Sequence, residues 1–361
     1  MGLMSSFFER PLIGLDIGVS GIKAVELSGR KSPRLVAYNR IPLPWDAMGN
    51  DGEIKDRPLI VSSLRRLLDA KGFTTKRVAV GVAGTAIIAK KISMPRMSER
   101  DVEHQLHWEA EQYLPFNISE VNLDFAILGN STQSSASGTP LMDVLIVGAK
   151  KDYIRNLTSL VEEAGLDCTV VDNQAFAMGN AFEFNYAHLV DTSPGGATSI
   201  LVDFGAGSTK LSAVEGDKTT FSKELRHGGR NCSLFLSDRL GVSVEEAEKL
   251  KMSEADSTPV KTLLAEYVNL VVEEISRALD FFLTQSREKA IQGIYVCGGA
   301  SKTEGLIEAM ETKMPAPVFA LNPIQNIAGS GRAMSAQMIR EVSYLGSVSI
   351  GLALRVAGDK E

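Results

Sequence analysis

The chain has 361 residues, 44% of them hydrophobic and 23% charged, and a net charge of −6. This composition fits a globular protein that can bury a large core, and the length suggests two or more domains. The negative balance argues against non-specific nucleic-acid binding, and no run reaches the roughly 20 apolar residues that cross a bilayer; the nearest, 342–354, is short and stopped by Arg355.

Cys168, Cys232 and Cys297 are far apart, odd in number and without metal spacing, which predicts buried thiols in a reducing cytosol rather than a disulfide framework. The N-terminus has no cationic start before an apolar run, so it does not read as a secretory signal. Residues 1–6 match the short myristoylation pattern, although a loose start before Pro11 is the simpler expectation. Phe7 and Phe8 belong to the same loose start.

In chain order, residues 12–27 read as a strand hairpin, and 35–41 as a third strand ended by Pro42 and Pro44. Residues 59–70 carry Leu59, Ile60, Leu64, Leu67 and Leu68 near helical spacing, and 77–82 form a short apolar strand. This β, β, β, α, β order is an α/β layer pattern. Ser98, followed by Glu99 and Asp101, opens a helix that runs to Tyr113 and stops before Pro115. Residues 121–128 and 142–147 read as strands joined by a Ser-, Thr- and Gly-rich loop at 130–140, and 152–164 as a helix ended by Gly165. We take 89–165 as a separate α+β insert. Residues 168–171 resume the first domain, and a helix follows at 174–183. A second hairpin starts at Ser199. A strand at 221–225, helices at 231–240, 244–251 and 260–285, a buried strand at 294–297 and a last helix before Gly358 complete the chain.

The two hairpins repeat one pattern about half a chain apart. In each, an apolar run ends in Asp (Asp16, Asp203), then Gly, then a small-residue turn, then Lys at the same offset (Lys23, Lys210). Glycine turns let backbone N–H groups approach a phosphate closely. Gly18, Ser20 and Gly21 offer one such turn; Gly205, Gly207, Ser208 and Thr209 offer the other. Mg²⁺ keeps several waters and takes one or two carboxylates, a role that suits Asp16 and Asp203 through water. Lys23 adds positive charge near the phosphates. Gly228 and Gly229 precede a helix start, which supplies further N–H groups. Glu248 and Lys251 share a helical face and suit a ribose or base. Gly298, Gly299, Ala300 and Ser301 follow a buried strand and open a helix, which fits close approach to a flat base.

With these residues in place the chain resembles the actin, Hsp70 and sugar-kinase superfamily. Within it, the chain is similar to the PilM family of type IV pilus assembly. The finer matches are Gly14 to Gly18 with Lys23 to Leu27, the run Trp108-Glu109-Ala110-Glu111-Gln112-Tyr113-Leu114-Pro115-Phe116, then Leu279 to Phe282 and Gly351 to Arg355. The resemblance spans nearly the whole chain. It implies an α/β, actin-like two-lobed nucleotide-binding fold with an FtsA-type α+β insert subdomain. The first lobe would take 11–88, 166–195 and 335–361, the insert 89–165, and the second lobe 196–334. It implies ATP with Mg²⁺ between the lobes. It also implies a partner, the cytoplasmic N-terminal tail of the inner-membrane protein PilN, in a groove between the first lobe and the insert. Other pilus inner-membrane assembly proteins would be further partners, membrane contact would run through the partner alone, and self-association stays open. Superfamily hydrolases place Gln or Glu at the start of the helix after the crossover. Here Gln174 or Asn173 takes that place, and an amide is a poor base, so slow hydrolysis at best is expected.

Other readings were weighed. Glu103, His104, His107 and Glu111 lack four convergent zinc donors and read as a partly exposed helix. His188 and His227 have no evident nucleophile to serve. Cys297 and the Phe281-Phe282 pair read as core packing. A small-molecule kinase of the same superfamily would need a carboxylate base and a polar sugar pocket, and no segment supplies them. An FtsA-like division protein would favour a C-terminal amphipathic membrane helix, where this sequence has Ala357-Gly358-Asp359-Lys360-Glu361.

Overall fold

The computed structural model describes residues 11–29, 31–69, 72–134, 139–189, 196–252, 258–286, 290–328 and 334–358. The myristoylation pattern at 1–6 and the Phe7-Phe8 pair lie outside them. Strands β1 (Ile13–Gly18), β2 (Gly21–Ser28) and β3 (Arg34–Pro42) form an antiparallel meander. Helix α1 (Arg57–Leu68) crosses to β4 (Arg77–Val82), which pairs parallel with β1 and with β8 (Asp167–Asn173). The sheet order is β3-β2-β1-β4-β8. The Asp56 carboxylate caps α1 by accepting from the Leu59 N–H at 2.9 Å. On one face of the sheet Ile13, Leu15, Val78 and Val80 meet Ile60, Leu64 and Leu67 of α1.

The second half repeats the plan. Strands β9 (Thr198–Phe204), β10 (Thr209–Glu215) and β11 (Lys218–Leu225) form a meander, and β12 (Ile291–Cys297) and β13 (Val318–Ala320) add in parallel. The order β11-β10-β9-β12-β13 matches that of the first sheet, element for element. Helices α5 (Gly229–Leu240), α6 (Val244–Met252), α7 (Thr258–Ser286) and α8 (Leu306–Lys313) cover it, α7 burying Val260, Leu264, Val268, Val271, Val272 and Ile275. Phe282 is core, but Phe281 beside it is half exposed, with Lys223 Nζ 5.5 Å from its ring centroid. The apolar pair therefore splits, because consecutive helical positions cannot share one face.

Strands β5 (Ile87–Pro95), β6 (Val121–Ser134) and β7 (Pro140–Lys150) form a third, antiparallel sheet of order β5-β7-β6. Helix α2 (Glu99–Tyr113), capped by Ser98, lays Val102 and Leu106 on Ile92, Met94, Val144 and Ile146. The opposite face presents Leu145 and Val147 to Ala175 and Phe176. Three features depart from the sequence expectation. Strand β5 was not anticipated; Lys90 and Lys91 interrupt its apolar alternation. The loop placed at 130–140 is shorter, because β6 keeps its ladder with β7 as far as Ser134 opposite Pro140. Helix α3 (Lys151–Glu163), which the sequence grouped with the insert, buries Leu157, Leu160 and Val161 in the core of the first sheet and holds Arg57 through Glu163 at 2.9 Å. Strand β13 and helix α9 (Ala336–Leu345) were also not anticipated, and the helix expected at 298–301 opens as one short 3-10 turn, Gly299–Lys302, before α8.

Helix α4 (Gln174–Tyr186) is largely apolar, with ten of its thirteen residues buried, as suits a helix enclosed between layers. It packs on α10 (Ser347–Ala353) so closely that a Cβ on Gly351 would fall 1.6 Å from the Ala177 carbonyl oxygen. Only a glycine permits that crossing. Among the described residues no helix is long and apolar enough to cross a membrane.

Candidate functional site

The two hairpins bring their carboxylate–lysine pairs to one cavity of about 910 Å³ between the first and second sheets. The equal sequence offset has a simple geometric origin. Asp16 faces Lys23 across the β1–β2 ladder, and Asp203 faces Lys210 across β9–β10, each pair being directly opposed. The first ladder closes at Gly18 opposite Gly21, leaving a two-residue turn; the second stops at Phe204 opposite Thr209, leaving a four-residue loop.

Lys23 Nζ donates to Asp16 Oδ2 at 2.7 Å, and Gln174 Nε2 donates to Asp16 Oδ1 at 3.3 Å. Lys210 Nζ lies 3.8 Å from Asp203 Oδ2. Burial by itself would lower the Lys210 ammonium, but Asp203, Glu224 and Asp16 together hold it above the usual lysine range, so it stays charged. Cys297, at the end of β12, also borders the cavity. Burial and the neighbouring Asp203 push its thiol far up, and it packs on Met178, as a core cysteine does.

Most of the sequence-selected residues line this cavity. Asp16, Gly18, Ser20 and Lys23 come from the first hairpin, Asp203, Gly205, Gly207 and Ser208 from the second. Gln174 lies beneath Asp16, while Gly229, Glu248, Lys251, Gly298, Gly299 and Ala300 form the far end. Gly298 has φ +89, and a Cβ there would fall 2.3 Å from Asp203 Oδ1, so the β12 turn closes only around glycine. Four selected residues lie behind the lining. Gly21 opens β2. Thr209 Oγ1 donates to the His227 carbonyl at 2.6 Å, the Gly228 carbonyl accepts from Tyr267 Oη at 3.0 Å, and Ser301 Oγ donates to the Gly298 carbonyl at 2.6 Å. These four support the turns. Lys251 Nζ donates to Glu248 at 2.6 Å, to Ser233 Oγ at 2.8 Å and to the Gly229 carbonyl at 2.8 Å, which ties α6 to the start of α5.

Sequence reasoning missed Arg230, Glu224, Trp45 and Tyr344, all of which border the cavity. Arg230 carried a signal. A cation in the first turn of a helix opposes the macrodipole, so its presence there calls for another partner. Lys302 Nζ stands 3.4 Å from the Tyr344 ring centroid, and both residues line the cavity. Glu224 carried no signal, because nothing in a strand sequence distinguishes a cleft carboxylate from a solvated one.

Paired five-stranded sheets of identical order, meeting at a glycine-lined cavity, define an actin-like two-lobed fold. MreB5 of Spiroplasma citri bound to AMPPNP has that fold: 11% identity, TM-score 0.50, covering 95% of this chain and 94% of that one. The family model described as type IV pilus assembly protein PilM matches residues 14–357, and the chain belongs to that family. A solved PilM-PilN type IV pilus biogenesis complex is 26% identical, with TM-score 0.83, covering 96% of this chain and 99% of that chain. Cell division protein FtsA of Bacillus subtilis is 26% identical over 260 residues, 66% of this chain. The chain spans 57% of the length of that curated relative, and 57% of ethanolamine utilization protein EutJ of Escherichia coli, to which it is 24% identical over 183 residues.

Proposed function

We propose that this protein binds Mg-ATP between its lobes and docks the cytoplasmic N-terminal tail of PilN at the inner membrane during type IV pilus assembly. The observation that carries the nucleotide reading is the twinned, directly opposed Asp–Lys pair at one glycine-lined cavity. The donor set fits the ligand. Asp16 and Asp203 would hold Mg²⁺ through its waters, and the ion would neutralise phosphate charge. Lys23 and Lys210 add fixed positive charge. Glycine turns on both sides let the backbone come close to phosphate oxygens, although the N–H groups of Gly205, Gly228, Gly229 and Gly298 already donate to protein oxygens. Gln174, anchored on Asp16, would orient a water, though an amide is a poor base, so hydrolysis is slow at best and ATP acts chiefly as a conformational ligand.

The partner rests on similarity at 26% identity to the PilM of the PilM-PilN complex, over 99% of that chain. Attachment to the membrane runs through that partner, and other pilus inner-membrane assembly proteins are further candidates. The division we propose takes 11–88, 151–195 and 335–361 as the first lobe, 89–150 as the insert and 196–334 as the second lobe, the change from 89–165 being α3, which joins the first lobe on its packing. Calorimetry with ATP and ADP, with and without Mg²⁺, and with a synthetic PilN tail peptide tests both halves. Mg-dependent ATP binding and saturable peptide binding are expected. Absence of peptide binding in every nucleotide state would overturn the partner.

A further inference from the structure

We infer that Arg230 and Glu224 form a two-point latch between the lobes that sets the rate of nucleotide exchange. This rests on the nucleotide reading above. Arg230 stands at the start of α5 in the second lobe, 5% exposed, its backbone N–H held by the Ala206 carbonyl at 2.8 Å. Its guanidinium crosses to the first lobe. Nη1 donates to the Met48 carbonyl at 2.9 Å, and Nη2 donates to the carbonyls of Val19 at 2.9 Å and Pro44 at 3.4 Å. The Trp45 ring centroid lies 4.7 Å from its central carbon. Val19 is the tip of the first hairpin. The two phosphate turns touch there, since a Cβ on Gly207 would fall 2.9 Å from Val19 Cγ2 and 2.3 Å from the Asn50 carbonyl oxygen.

Glu224 makes the second point. Its Oε2 accepts from the Gly84 N–H of the first lobe at 2.8 Å, and its Oε1 accepts from Ser208 Oγ in the β9–β10 loop of its own lobe. A cation grips carbonyls and an anion grips an amide, both reaching from the second lobe to fixed backbone of the first. Charge-assisted bonds of this kind are stronger than neutral ones. Burial disfavours the Arg230 charge, opposed by Glu248 and Asp46, yet a guanidinium cannot shed its proton, so the charge stays and needs those carbonyls. Both residues border the cavity. In this reading a nucleotide enters or leaves when these bonds part and the lobes separate. The bonds involve protein atoms alone, so they restrain the empty and the loaded cleft alike. Their loss therefore lowers the barrier in both directions and moves the rates more than the equilibrium.

The test compares the full chain with Arg230→Ala, Arg230→Lys and Glu224→Gln by stopped flow, using a fluorescent ATP analogue and Mg²⁺. Arg230→Ala is expected to raise association and dissociation rates together, each roughly 10- to 100-fold, with a smaller change in Kd. Arg230→Lys should fall between, because one ammonium cannot span three carbonyls. Glu224→Gln should speed exchange less. Hydrogen exchange on the nucleotide-free proteins gives a second readout: Arg230→Ala should deprotect amides around Val19 and at 44–50. Folded variants with both rates and both segments unchanged would overturn the latch. A loss of Kd carried by dissociation alone would overturn it too, marking a plain ligand contact. Should the wild type bind no nucleotide, the nucleotide reading fails, and hydrogen exchange still decides whether the latch exists. If Arg230→Ala does not fold, Arg230→Lys and Glu224→Gln carry both measurements.

Discussion

Gln174 donates to Oδ1 of Asp16 across 3.3 Å, which joins the first residue of α4 to a carboxylate on β1. Its neighbour Asn173 turns away and accepts the Ala175 N–H at 2.8 Å as the helix N-cap. In the sequence these two amides were alternatives for one position; in the fold they hold different ones.

That difference can be separated experimentally. Gln174→Ala should slow single-turnover phosphate release by roughly 10- to 100-fold, with a smaller change in Mg-ATP affinity. Asn173→Ala should instead cost about 1 kcal/mol of stability through the lost cap. Equal phosphate-release rates for Gln174→Ala and wild type would remove Gln174 from the chemistry.

Asp203 faces Lys210 and touches the β12 turn at Gly298. Asp203→Ala should abolish Mg-dependent ATP affinity in calorimetry. It should also destabilise the protein by up to about 3 kcal/mol, because the buried Lys210 ammonium loses its nearest counter-charge. Asp203→Asn keeps the shape but removes the same charge, so it should lose the Mg dependence with a comparable loss of stability. Unchanged affinity in both would reject the metal role.

Gly351 lies under the Ala177 carbonyl. Gly351→Ala forces α4 and α10 apart and should lower unfolding free energy by about 3 kcal/mol in urea titration, at the upper end for overpacking. A change below about 0.5 kcal/mol would show that the crossing relaxes freely.

Glu183 on α4 has its carboxyl held above the usual range by burial, with Asp217 adding repulsion. The folded value exceeds the unfolded one, so the neutral form is the one the fold prefers. The stabilising contribution is full below the unfolded value of about 4.3 and is lost as pH rises through the folded value. Glu183→Gln should therefore raise the Tm at neutral pH, by an amount that shrinks as pH falls toward 4. A Tm difference independent of pH would exclude this linkage.

Much of the fold was legible because its signals are local. The hairpins, α1, β4, α2 and α7 follow from apolar periodicity, Ser98 as a cap, and glycine turns. What was missed has weak local signal: β5 carries two lysines, β13 is three residues long, and α9 lies in mixed sequence. Helix α3 was found, but its place was not. Its apolar stripe shows that it packs, without saying on which sheet. The site divides in the same way. Asp16, Lys23, Asp203 and Lys210 were found because a cross-strand pair has a fixed offset along the chain. Arg230 and Glu224 were not, because their partners lie in the other lobe.

The sequence by itself determined two copies of one hairpin chemistry, since turn geometry and cross-strand register are set within about ten residues. Only the tertiary structure decided that the copies meet, that Gln174 rather than Asn173 reaches Asp16, and that Arg230 spans to Val19. Those relationships join segments 158 and 211 residues apart. They depend on how α4 and α5 are seated against the sheets, which is fixed by packing of the whole core rather than by any local pattern.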